Sequence, residues 1–419
     1  MNIIHRAQAD LPVVIIGAGP AGLAAAHTLH AASISFLLLE ARARIGGRAH
    51  TSVHENFPLD LGCGWLHCAD INPWSKIAER FGFPIDRTPP AWERQSCHQG
   101  MSEAEQKEFQ RTFADFEKRL EHADLREDRP ASTLTEDGNR WNAMLNAISS
   151  YLNGAELDRV SAKDFQNYKD TDVNWRVERG YGALIAHFGA DVPVTLNCVV
   201  RALDHAGHAL RLNTSRGEIT AGAAIVTIPV NLLARGAIRF TPDISDAMEA
   251  ASHLPLGIVN KLFLACDDPQ LFPKDGHFFG NIHDPGTGSY HLRPFGRPLI
   301  EAFIAGRRAE ELAKEESAAS VAFAVEELVS LVGSDVRKHL RPLACSRWEH
   351  DPFSRGSYSY AEVGHAGARA ILQKPVEDRI FFAGEACSKE FFATAHGAYF
   401  SGREAAHALI HARQSTVAV

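Results

Sequence analysis

The stretch VVIIGAGPAGLAAAHTL, residues 13–29, decides the fold of this 419-residue chain. Its apolar beginning predicts a buried strand, its Ala-rich end predicts a helix, and the apolar run ISFLLLE at residues 34–40 predicts a second strand. Glycines spaced as G-x-G-x-x-G join the first strand to the helix. In this context the spacing is typical of a βαβ unit that binds a dinucleotide.

The residues of this glycine turn each suit that task. Gly17 permits the tight turn, Gly19 lets the backbone approach a pyrophosphate, and Gly22 lets the helix pack closely on the strand. Pro20 and Ala21 lie at the helix N-terminus, where unsatisfied N–H groups and partial positive charge face the phosphates. We therefore expect all five residues to bind the cofactor.

The chain after the second strand favours FAD over NAD. Glu40 stands where a carboxylate accepts hydrogen bonds from ribose hydroxyls. The run RIGGR at residues 44–48 places adjacent glycines between arginines, which suits a loop that crosses a second stretch of pyrophosphate and the flavin. The residues expected to bind the cofactor here are Glu40, Ala41, Arg42, Gly46, Gly47 and Arg48.

At this loop the sequence resembles the flavin-containing amine oxidases, which include the monoamine oxidases, the polyamine oxidases and the flavin-type histone lysine demethylases. The resemblance recurs in order along nearly the whole chain. Its further segments are DLGCGWLHCADINPW from Asp60, RGYGALIAHF from Arg179, IVTIP from Ile225, WEHDPFSRGSYSY from Trp348, FFAGEACS from Phe381 and TAHGAYFSG from Thr394.

The resemblance implies an α/β plus α+β architecture, in which a Rossmann-like FAD-binding domain is interleaved with a substrate-binding domain. We expect the FAD-binding domain to comprise residues 1–83, 190–246 and 346–419. The substrate-binding domain is then expected to comprise residues 84–189 and 247–345.

The sequence pattern also predicts the main elements of these segments. Polar stretches with helical spacing predict a helical insertion without clear strands between about residues 84 and 188. The apolar runs VPVTLNCVVRAL from Val192 and AAIVTIP from Ala223 predict strands that rejoin the first sheet. A β-rich block from about Ala247 is followed by one predicted helix from about Arg308 to Val332.

One charged residue stands out in the apolar run LGIVNKLFLAC, namely Lys261. An ammonium is costly to bury without a partner, so this lysine either has a function or sends its head to solvent while its stem packs. In the family a lysine at this place holds a water against flavin N5. The resemblance implies the same role for Lys261.

The segment from Trp348 resembles the family stretch that lies under the flavin. Ser357 stands where the mitochondrial monoamine oxidases have a cysteine, so the resemblance implies that FAD is bound without a covalent link. Tyr358 matches one wall of an aromatic cage that steers an amine, and Thr394 replaces the aromatic residue of the other wall, as in the polyamine oxidases. The expected catalytic residues are Lys261, Trp348, Tyr358 and Thr394. Core packing is the alternative for the two aromatic residues.

Further cofactor contacts follow from the resemblance alone. Val199 is expected to hold the adenine through its backbone. A helix that starts near Gly397 is expected to direct its positive end at the flavin, which stabilises the anionic reduced ring. The remaining expected cofactor-binding residues are Gly64, Trp65, Trp348, Gly384, Glu385, Thr394 and Ala395.

The resemblance also implies the oxidation of a polyamine or another alkylamine. A hydride leaves the α-carbon of the neutral amine for flavin N5, water hydrolyses the iminium product, and O2 reoxidises the flavin to give hydrogen peroxide. An L-amino acid oxidase of the same fold is an alternative, which would need an arginine for the substrate carboxylate. A desaturase-type flavoprotein with a non-amine substrate and a flavin-binding scaffold for a protein partner are the others.

Composition bears on the partners and the compartment. The 43 basic and 51 acidic residues give a formal net charge of -8, which disfavours a nucleic-acid surface. The seven cysteines form no Cys-x-x-Cys pair and no zinc spacing, so no metal is expected and a reducing compartment is favoured. Residues 1–10 show no secretory signal, and the uncharged stretch from Leu11 to Ala26 is too short to span a bilayer. We expect a cytoplasmic enzyme whose partners are an amine and O2 and which binds no nucleic acid and no membrane. The sequence leaves its oligomeric state, monomer or homodimer, open.

Overall fold

The computed structural model describes residues 11–94 and 99–417. Residues 1–10, in which no secretory signal is expected, and Cys97 lie outside the described residues. The other cysteines are free thiols. Among the described residues, every helix is too short or too polar to cross a bilayer.

The strands of the structure are short and come from all parts of the chain. In chain order they are β1 (Val13–Ile16), β2 (Phe36–Leu39), β3 (Thr51–His54), β4 (Phe57–Asp60), β5 (Trp65–Leu66), β6 (Ile85–Asp86), β7 (Trp175–Val177), β8 (Val194–Thr195), β9 (Val200–Asp204), β10 (Leu210–Thr214), β11 (Gly217–Ala221), β12 (Ala223–Val226), β13 (Arg239–Thr241), β14 (Val259–Cys266), β15 (Gly276–Phe279), β16 (Ser289–Leu292), β17 (Leu299–Ala305), β18 (Leu340–Cys345) and β19 (Ile380–Phe382).

The helices alternate with these strands. They are α1 (Pro20–Ala31), α2 (Pro73–Arg80), α3 (Ala91–Arg94), α4 (Glu103–His122), α5 (Asn142–Asn153), α6 (Ala162–Asn167), α7 (Tyr181–Phe188), α8 (Val230–Ala234), α9 (Ser245–Ser252), α10 (Gly306–Leu312), α11 (Ser317–Val332), α12 (Ala368–Leu372) and α13 (Ala395–Val417). Short 3-10 turns lie at Ala131–Leu134, Pro269–Leu271, Pro294–Gly296, Ser334–His339 and Glu385–Cys387.

The first sheet is parallel, with the strand order β19, β12, β1, β2 and β8. All four residues of β1 are buried, as expected for a central strand that is covered on both faces. The sheet takes strands from residues 13–39, 194–226 and 380–382, so the three segments predicted for the FAD-binding domain meet in one sheet. The exact bounds of the two domains stay a prediction.

Alternate residues of β1 face two different cores. The first and third residues pack with helices α1 and α13 on one face of the sheet. The second and fourth pack on the other face with the four-stranded sheet β11-β10-β9-β13. Helices α1 and α13 touch closely, because a methyl group on Gly402 would lie only 2.1 Å from the Ala21 carbonyl oxygen.

The second large sheet is antiparallel, with the order β15, β16, β17, β14 and β18. Leu262, Ile300 and Leu328 share a core, so helix α11 covers one face of this sheet. Because side chains alternate along a strand, Lys261 of β14 and its partner Phe303 of β17 lie on the opposite face. That face looks toward the interior of the molecule, where the candidate site lies.

The insertion between these sheets is largely helical, as predicted. Helices α4, α5 and α6 share a core that includes Phe109, Trp141 and Leu145. A capping box starts α4, because the Ser102 side chain accepts from the backbone of Glu105 while the Glu105 side chain accepts from the backbone of Ser102. The long polar run after Ser102 therefore begins a helix, as its spacing predicts.

Three predicted elements are corrected by the structure. The run from Val192 forms two strands, β8 and β9, in different sheets, because Asn197 between them adopts a left-handed conformation with φ 52°. The single helix predicted from Arg308 to Val332 is two helices, α10 and α11, because the backbone at Glu316 is extended. The insertion was predicted to lack strands, yet it contains β6 and β7, and β7 pairs with both β6 and β5.

Candidate active site

A cavity of about 1190 Å³ lies in the interior between the two large sheets and the helical insertion. We call it the large cavity. Its wall takes residues from the β1–α1 turn, from β14, from the segment that starts at Trp348 and from helices α4 and α5. This volume exceeds the range of roughly 300 to 1,000 Å³ for an ordinary small-molecule pocket, so there is room for a dinucleotide and a second molecule.

The glycine turn forms one end of the large cavity. Gly17 has φ 106°, a conformation that side chains rarely permit. A methyl group on Gly22 would lie 1.9 Å from the Gly17 carbonyl oxygen, and one on Gly47 would lie 3.3 Å from Gly19 Cα. Within the described residues no side chain caps the N-terminus of α1 beside this turn. The turn is thus an open cradle that suits an anionic phosphate.

The next wall is built around Glu40, which is 3% exposed. Its carboxylate accepts hydrogen bonds from the backbone N–H groups of Ala18 and Arg42, both at 2.8 Å. A carboxylate has further lone pairs, which can accept from a ribose. The Arg42 guanidinium does not line the cavity, pairs with Asp351 at 2.7 Å and donates to Ser354 at 2.8 Å. Arg42 therefore fastens the end of β2 to the later segment.

Lys261 is buried, with 6% of its surface exposed, and its head reaches the large cavity. Its ammonium pairs with Glu301 at 2.8 Å. It also lies beside Gly64, since a methyl group there would be 2.8 Å from Lys261 Nζ. Burial acts to lower the pKa of Lys261, but the charges of Glu301 and Asp60 outweigh it and the pKa is raised. The lysine is thus a buried ammonium and does not extend to solvent.

Two aromatic side chains of the segment from Trp348 line the same part of the cavity. The Trp348 indole donates a hydrogen bond to the Leu61 carbonyl oxygen at 2.8 Å. The Tyr358 hydroxyl donates to the Tyr151 carbonyl oxygen. Burial raises the pKa of Tyr358, so its hydroxyl stays protonated at neutral pH. Both rings are therefore fixed by hydrogen bonds and keep the orientation of the cavity wall.

Thr394 lies at the start of α13. Its hydroxyl accepts a hydrogen bond from the Gly397 N–H at 2.9 Å and donates to the Phe391 carbonyl oxygen at 2.6 Å. Thr394 and Ala395 line the large cavity, whereas Gly397 is packed so tightly that a methyl group would lie 1.8 Å from the Phe391 carbonyl oxygen. The helix N-terminus is thus held against the cavity.

An ion pair joins the arginine loop to the strand end at Glu385. Arg48 lies 3.0 Å from the Glu385 carboxylate and donates to the Ser357 carbonyl oxygen at 2.5 Å. The same carboxylate accepts from the Ser359 hydroxyl at 2.7 Å and from the Ala393 N–H at 2.9 Å. Burial acts to raise the pKa of Glu385, but the Arg48 charge and these hydrogen bonds outweigh it and the pKa is lowered. Arg48 and Glu385 therefore hold three separate chain segments together.

Most of the expected site residues meet at the large cavity. Those that line it are Gly17, Gly19, Pro20, Ala21, Glu40, Ala41, Gly47, Arg48, Gly64, Trp65, Val199, Lys261, Trp348, Tyr358, Gly384, Glu385, Thr394 and Ala395. Those that lie behind its wall are Gly22, Arg42, Gly46 and Gly397. The backbone N–H of Val199 donates to the Ser215 hydroxyl at 3.0 Å, and its carbonyl accepts from the Ser215 N–H at 2.8 Å. One lone pair of that carbonyl is then left for an adenine.

Sequence reasoning missed several residues of the cavity wall. His67 Nδ1 lies 2.6 Å from Asn174 Oδ1. Burial lowers the pKa of His67, so the ring is neutral at pH 7 and its second nitrogen is an acceptor. Tyr151 and Phe303 add aromatic rings, and the Phe303 ring centre is 5.7 Å from Lys261 Nζ. His67 belongs to the quoted segment from Asp60 and could have been found there, whereas no motif marks the other two.

Carboxylates outnumber cations at the outer end of the large cavity, where Lys169 is paired with Glu390 at 2.6 Å. Glu117 and Glu121 of α4 and Asp170 and Asp172 of the loop after α6 line it there, and all four are exposed. We call them the acidic mouth. Partial desolvation of the Glu117 carboxylate, together with the charges of Asp172 and Asp170, raises the pKa of Glu117. A cation that enters would relieve this repulsion, so the mouth favours a cationic ligand.

The donor set of the large cavity fits a flavin dinucleotide. The open glycine cradle suits the pyrophosphate, the Glu40 carboxylate suits the ribose, and the wide space beside Lys261 and Trp348 suits a flat ring system. Within residues 11–94 and 99–417, no group of three or more His, Cys, Asp or Glu side chains is placed to hold a metal ion.

Comparisons with protein families agree with this geometry. The family model described as flavin containing amine oxidoreductase matches residues 138–410. The model described as NAD(P)-binding Rossmann-like domain matches residues 15–81. Together the two matches cover the glycine cradle, Lys261 and the segment from Trp348.

Individual proteins show the same likeness. Polyamine oxidase 2 of Arabidopsis thaliana is 31% identical over 94% of this chain and 87% of its own length. Polyamine oxidase 3 of Oryza sativa subsp. japonica is 30% identical over 96% of this chain and 90% of its own length. The structure of wild-type putrescine oxidase bound to putrescine shares the fold, with a TM-score of 0.78, 18% identity, and coverage of 96% of this chain and 99% of that one.

Proposed function

Since this chain belongs to the family of flavin-containing amine oxidoreductases, we propose that it oxidises a polyamine or another alkylamine with O2 as the electron acceptor. The protein is an FAD-dependent amine oxidoreductase, as the resemblance in its sequence implied, and it has the expected Rossmann-like FAD-binding fold. When bound along the glycine cradle and Glu40, FAD would supply the acceptor for a hydride from the α-carbon of the amine, and its reoxidation by O2 would give hydrogen peroxide.

The observation that carries this proposal is the continuity of the large cavity from the glycine cradle to the acidic mouth. The cradle, Glu40 and the N-terminus of α13 would hold the cofactor. The neutral His67 ring accepts a hydrogen bond from a substrate amine, and the rings of Tyr151, Tyr358 and Phe303 give an apolar wall for its carbon chain. The acidic mouth would attract the distal ammonium of a polyamine. Names of the relatives support the same substrate class.

The site argues against an L-amino acid oxidase. Such an enzyme needs an arginine that is free to bind the substrate carboxylate. Among the described residues that line the large cavity, Arg48 is the sole arginine, and its guanidinium is engaged by Glu385 and the Ser357 carbonyl. The acidic mouth would also repel a carboxylate.

The cavity also disfavours the remaining alternatives. A desaturase-type flavoprotein acts on a carbon skeleton without a cation and gains nothing from an acidic mouth. A scaffold that merely holds flavin needs no buried lysine with a charged partner beside the cavity.

A cytoplasmic location agrees with the free thiols of the described cysteines and is part of the proposal.

Anaerobic reduction tests the proposed function. The yellow holoprotein is mixed without oxygen with spermidine, putrescine, a monoamine or an L-amino acid, and its absorbance is followed. We expect bleaching by the polyamine or diamine, slower bleaching by the monoamine, and peroxide when air is admitted. Reduction by the L-amino acid alone, or no reduction by any amine, would contradict the proposal.

A further inference from the structure

Glu301 lies behind the Lys261 ammonium, on the side away from the large cavity. In the register of β14 and β17, Lys261 is opposite Phe303 and Phe263 is opposite Glu301. Lys261 and Glu301 are thus diagonal neighbours on one face of the sheet, a distance that long side chains span. The ammonium and the carboxylate meet at 2.8 Å, whereas Glu301 is absent from the described lining of the large cavity.

A second, small cavity adjoins this pair. Its volume is about 30 Å³, which is enough for an ordered water, since a cavity needs at least roughly 10 to 15 Å³ to hold one. We call it the rear cavity. It shares Gly64, Trp65 and Lys261 with the large cavity. Charged residues that also line it are Asp60, Arg176, Glu178, Arg297 and Glu301.

One buried polar atom of a residue that lines the rear cavity lacks a hydrogen-bond partner among the described residues. Arg176 is 6% exposed and pairs with Asp86 and Asp275, yet within the described residues its Nε has no hydrogen-bond partner. An ammonium has three N–H donors, and the Glu301 carboxylate lies 2.8 Å from that of Lys261, so it engages one of them. Water in the rear cavity would satisfy Arg176 Nε and a second donor of Lys261.

We propose that Glu301 is a positioning residue, which together with water in the rear cavity holds the Lys261 ammonium in place against the large cavity. This inference rests on the proposed function, in which Lys261 acts on the flavin ring. Because Glu301 does not line the large cavity, it acts on the reaction through Lys261.

The charges around the pair make Glu301 the main partner of Lys261. Groups that face the Lys261 ammonium are Asp60, Cys63, His67 and Glu301. Groups that face the Glu301 carboxylate are Lys261, Arg176, His291 and Arg297. The Asp60 oxygens are already engaged by Thr51 at 2.5 Å and by the N–H groups of Tyr181 and Gly182 at 2.8 and 3.1 Å. The charge of Glu301 also raises the pKa of Lys261 more than the charge of Asp60 does, so Asp60 replaces Glu301 only in part.

Titration of Lys261 tests the inference without any turnover. The protein is labelled with 13C at lysine Cε, and the Lys261 signal is identified by its loss in Lys261→Met. In the wild type we expect that signal to stay unchanged from pH 7 to pH 10. In Glu301→Gln it should titrate within this range, because loss of a neighbouring opposite charge shifts a pKa by about one to three pH units. Glu301→Asp keeps the charge and should restore the flat profile.

Glu178→Gln is the matched control, since it removes an exposed carboxylate from the outer edge of the same rear cavity. A Lys261 signal that stays flat in Glu301→Gln, or one that moves equally in Glu178→Gln, would overturn the proposal. If the wild type is not reduced by any amine, the proposed function fails, yet the titration still decides the role of Glu301.

A second measurement does not depend on the variants folding. In a high-resolution crystal structure of the wild-type holoenzyme we expect an ordered water in the rear cavity, within hydrogen-bond distance of Arg176 Nε and of Lys261 Nζ or Glu301. A rear cavity that is dry, or a Lys261 ammonium turned away from Glu301, would refute the inference.

Discussion

A buried charge is costly, and the residues around Lys261 show how this chain retains one. Two carboxylates lie near the ammonium, at Glu301 and Asp60, and their charges outweigh the effect of burial on the lysine. Burial acts to raise the pKa of Glu301, but the charges of Lys261, His291 and Arg176 together outweigh it and the pKa is lowered. The pair therefore stays ionised within an otherwise apolar strand.

Replacing Lys261 with Met tests its role at the cofactor. Met keeps most of the stem in the strand but removes the ammonium. We expect flavin reduction or reoxidation to slow by about 100-fold, as when one preorganised donor is removed from an active site, while FAD stays bound. Stopped-flow measurement of both half-reactions gives the result. Lys338→Met, which removes an exposed lysine, should react at the wild-type rate. Unaltered half-reactions in Lys261→Met would remove the assigned role.

Ser357 predicts how the cofactor is attached. Its hydroxyl donates to the Val259 carbonyl oxygen and accepts from the Val259 N–H, both at 2.9 Å, so it is buried in contacts with β14. A hydroxyl cannot form the thioether that a cysteine forms with flavin. Acid precipitation should therefore release all the flavin into the supernatant and leave a colourless pellet. A yellow pellet that resists washing would show a covalent link.

The sequence pointed to Lys261 because one charge interrupts an apolar run. Glu301 interrupts the run PLIEAFIAG in the same way, so the same reasoning could have found it. What a single sequence does not contain is the register of β14 and β17, which makes the two charges neighbours. The exposed carboxylates of the acidic mouth are also hidden in sequence, because α4 and the loop after α6 meet only in the fold.

At the scale of elements, the site depends on how closely α1 packs on β1. Gly22 makes this possible, since a methyl group there would lie 1.9 Å from the Gly17 carbonyl oxygen. The N-terminus of α1 is thus pressed against the turn whose N–H groups are left for the phosphates. A displaced helix would widen the cradle even though Gly22 itself does not line the cavity.

Gly22→Ala should therefore weaken both the fold and the cofactor site. Overpacking at a tight contact costs about 1 to 3 kcal/mol, and we expect a lower melting temperature together with a reduced flavin content after purification. Gly367→Ala is the control, because a methyl group there meets no atom within 4 Å and the backbone has φ -78°. Equal melting temperatures and flavin contents in the two variants would contradict the role of the close contact.

Elements with a strong local signal were predictable and those broken by single residues were not. The capping box at Ser102 and the glycine turn at Gly17 mark their elements within a few positions. The break between α10 and α11 depends on the extended backbone of Glu316, and the bend between β8 and β9 depends on the left-handed Asn197. Each residue lies inside a run whose periodicity predicts one continuous element. The strands β6 and β7 are two and three residues long, too short for periodicity to reveal.

On the scale of the whole molecule, buried histidines make stability depend on pH. Burial lowers the pKa of His277 and of His396 to about 3, and burial with the charge of Arg44 lowers that of His50 to about 4. An unfolded histidine titrates near 6.5. The unfolded chain therefore binds more protons than the folded one between about pH 6.5 and pH 3. Stability is full above this window and is lost as the pH falls through it.

Urea unfolding at pH 7.5 and pH 5 measures this loss. Through His277 alone, the free energy of unfolding should be about 2 kcal/mol lower at pH 5 than at neutral pH. Each pH unit below about 6.5 removes about 1.36 kcal/mol, because the unfolded histidine binds a proton and the folded one does not. His277→Gln can keep the contact with the Ser289 hydroxyl but cannot titrate, so its stability should fall less between the two pH values. The exposed His122→Gln should behave as the wild type. An unchanged pH dependence in His277→Gln would refute the linkage.

The interleaved architecture was predictable because segments that resemble the flavin-containing amine oxidases recur in the family's order along the chain. The parallel sheet does take its strands from all three predicted segments. The packing of α7 against the first segment was not predictable, since it depends on Gly182, where a methyl group would lie 2.5 Å from the Thr51 nitrogen. Contacts between distant backbone segments leave no periodic signal in either one.

The closeness of α1 and α13 has a consequence for how the protein is made. Gly402 rests against Ala21, and Thr394 and Ala395 complete a wall of the cavity that begins at Gly17. During translation the phosphate cradle at the β1–α1 turn is synthesised early. Helix α13, which completes the cavity wall, is synthesised much later. Cofactor capture is therefore expected to wait until Thr394 and the start of α13 have been synthesised, and a nascent chain halted before Thr394 should emerge colourless.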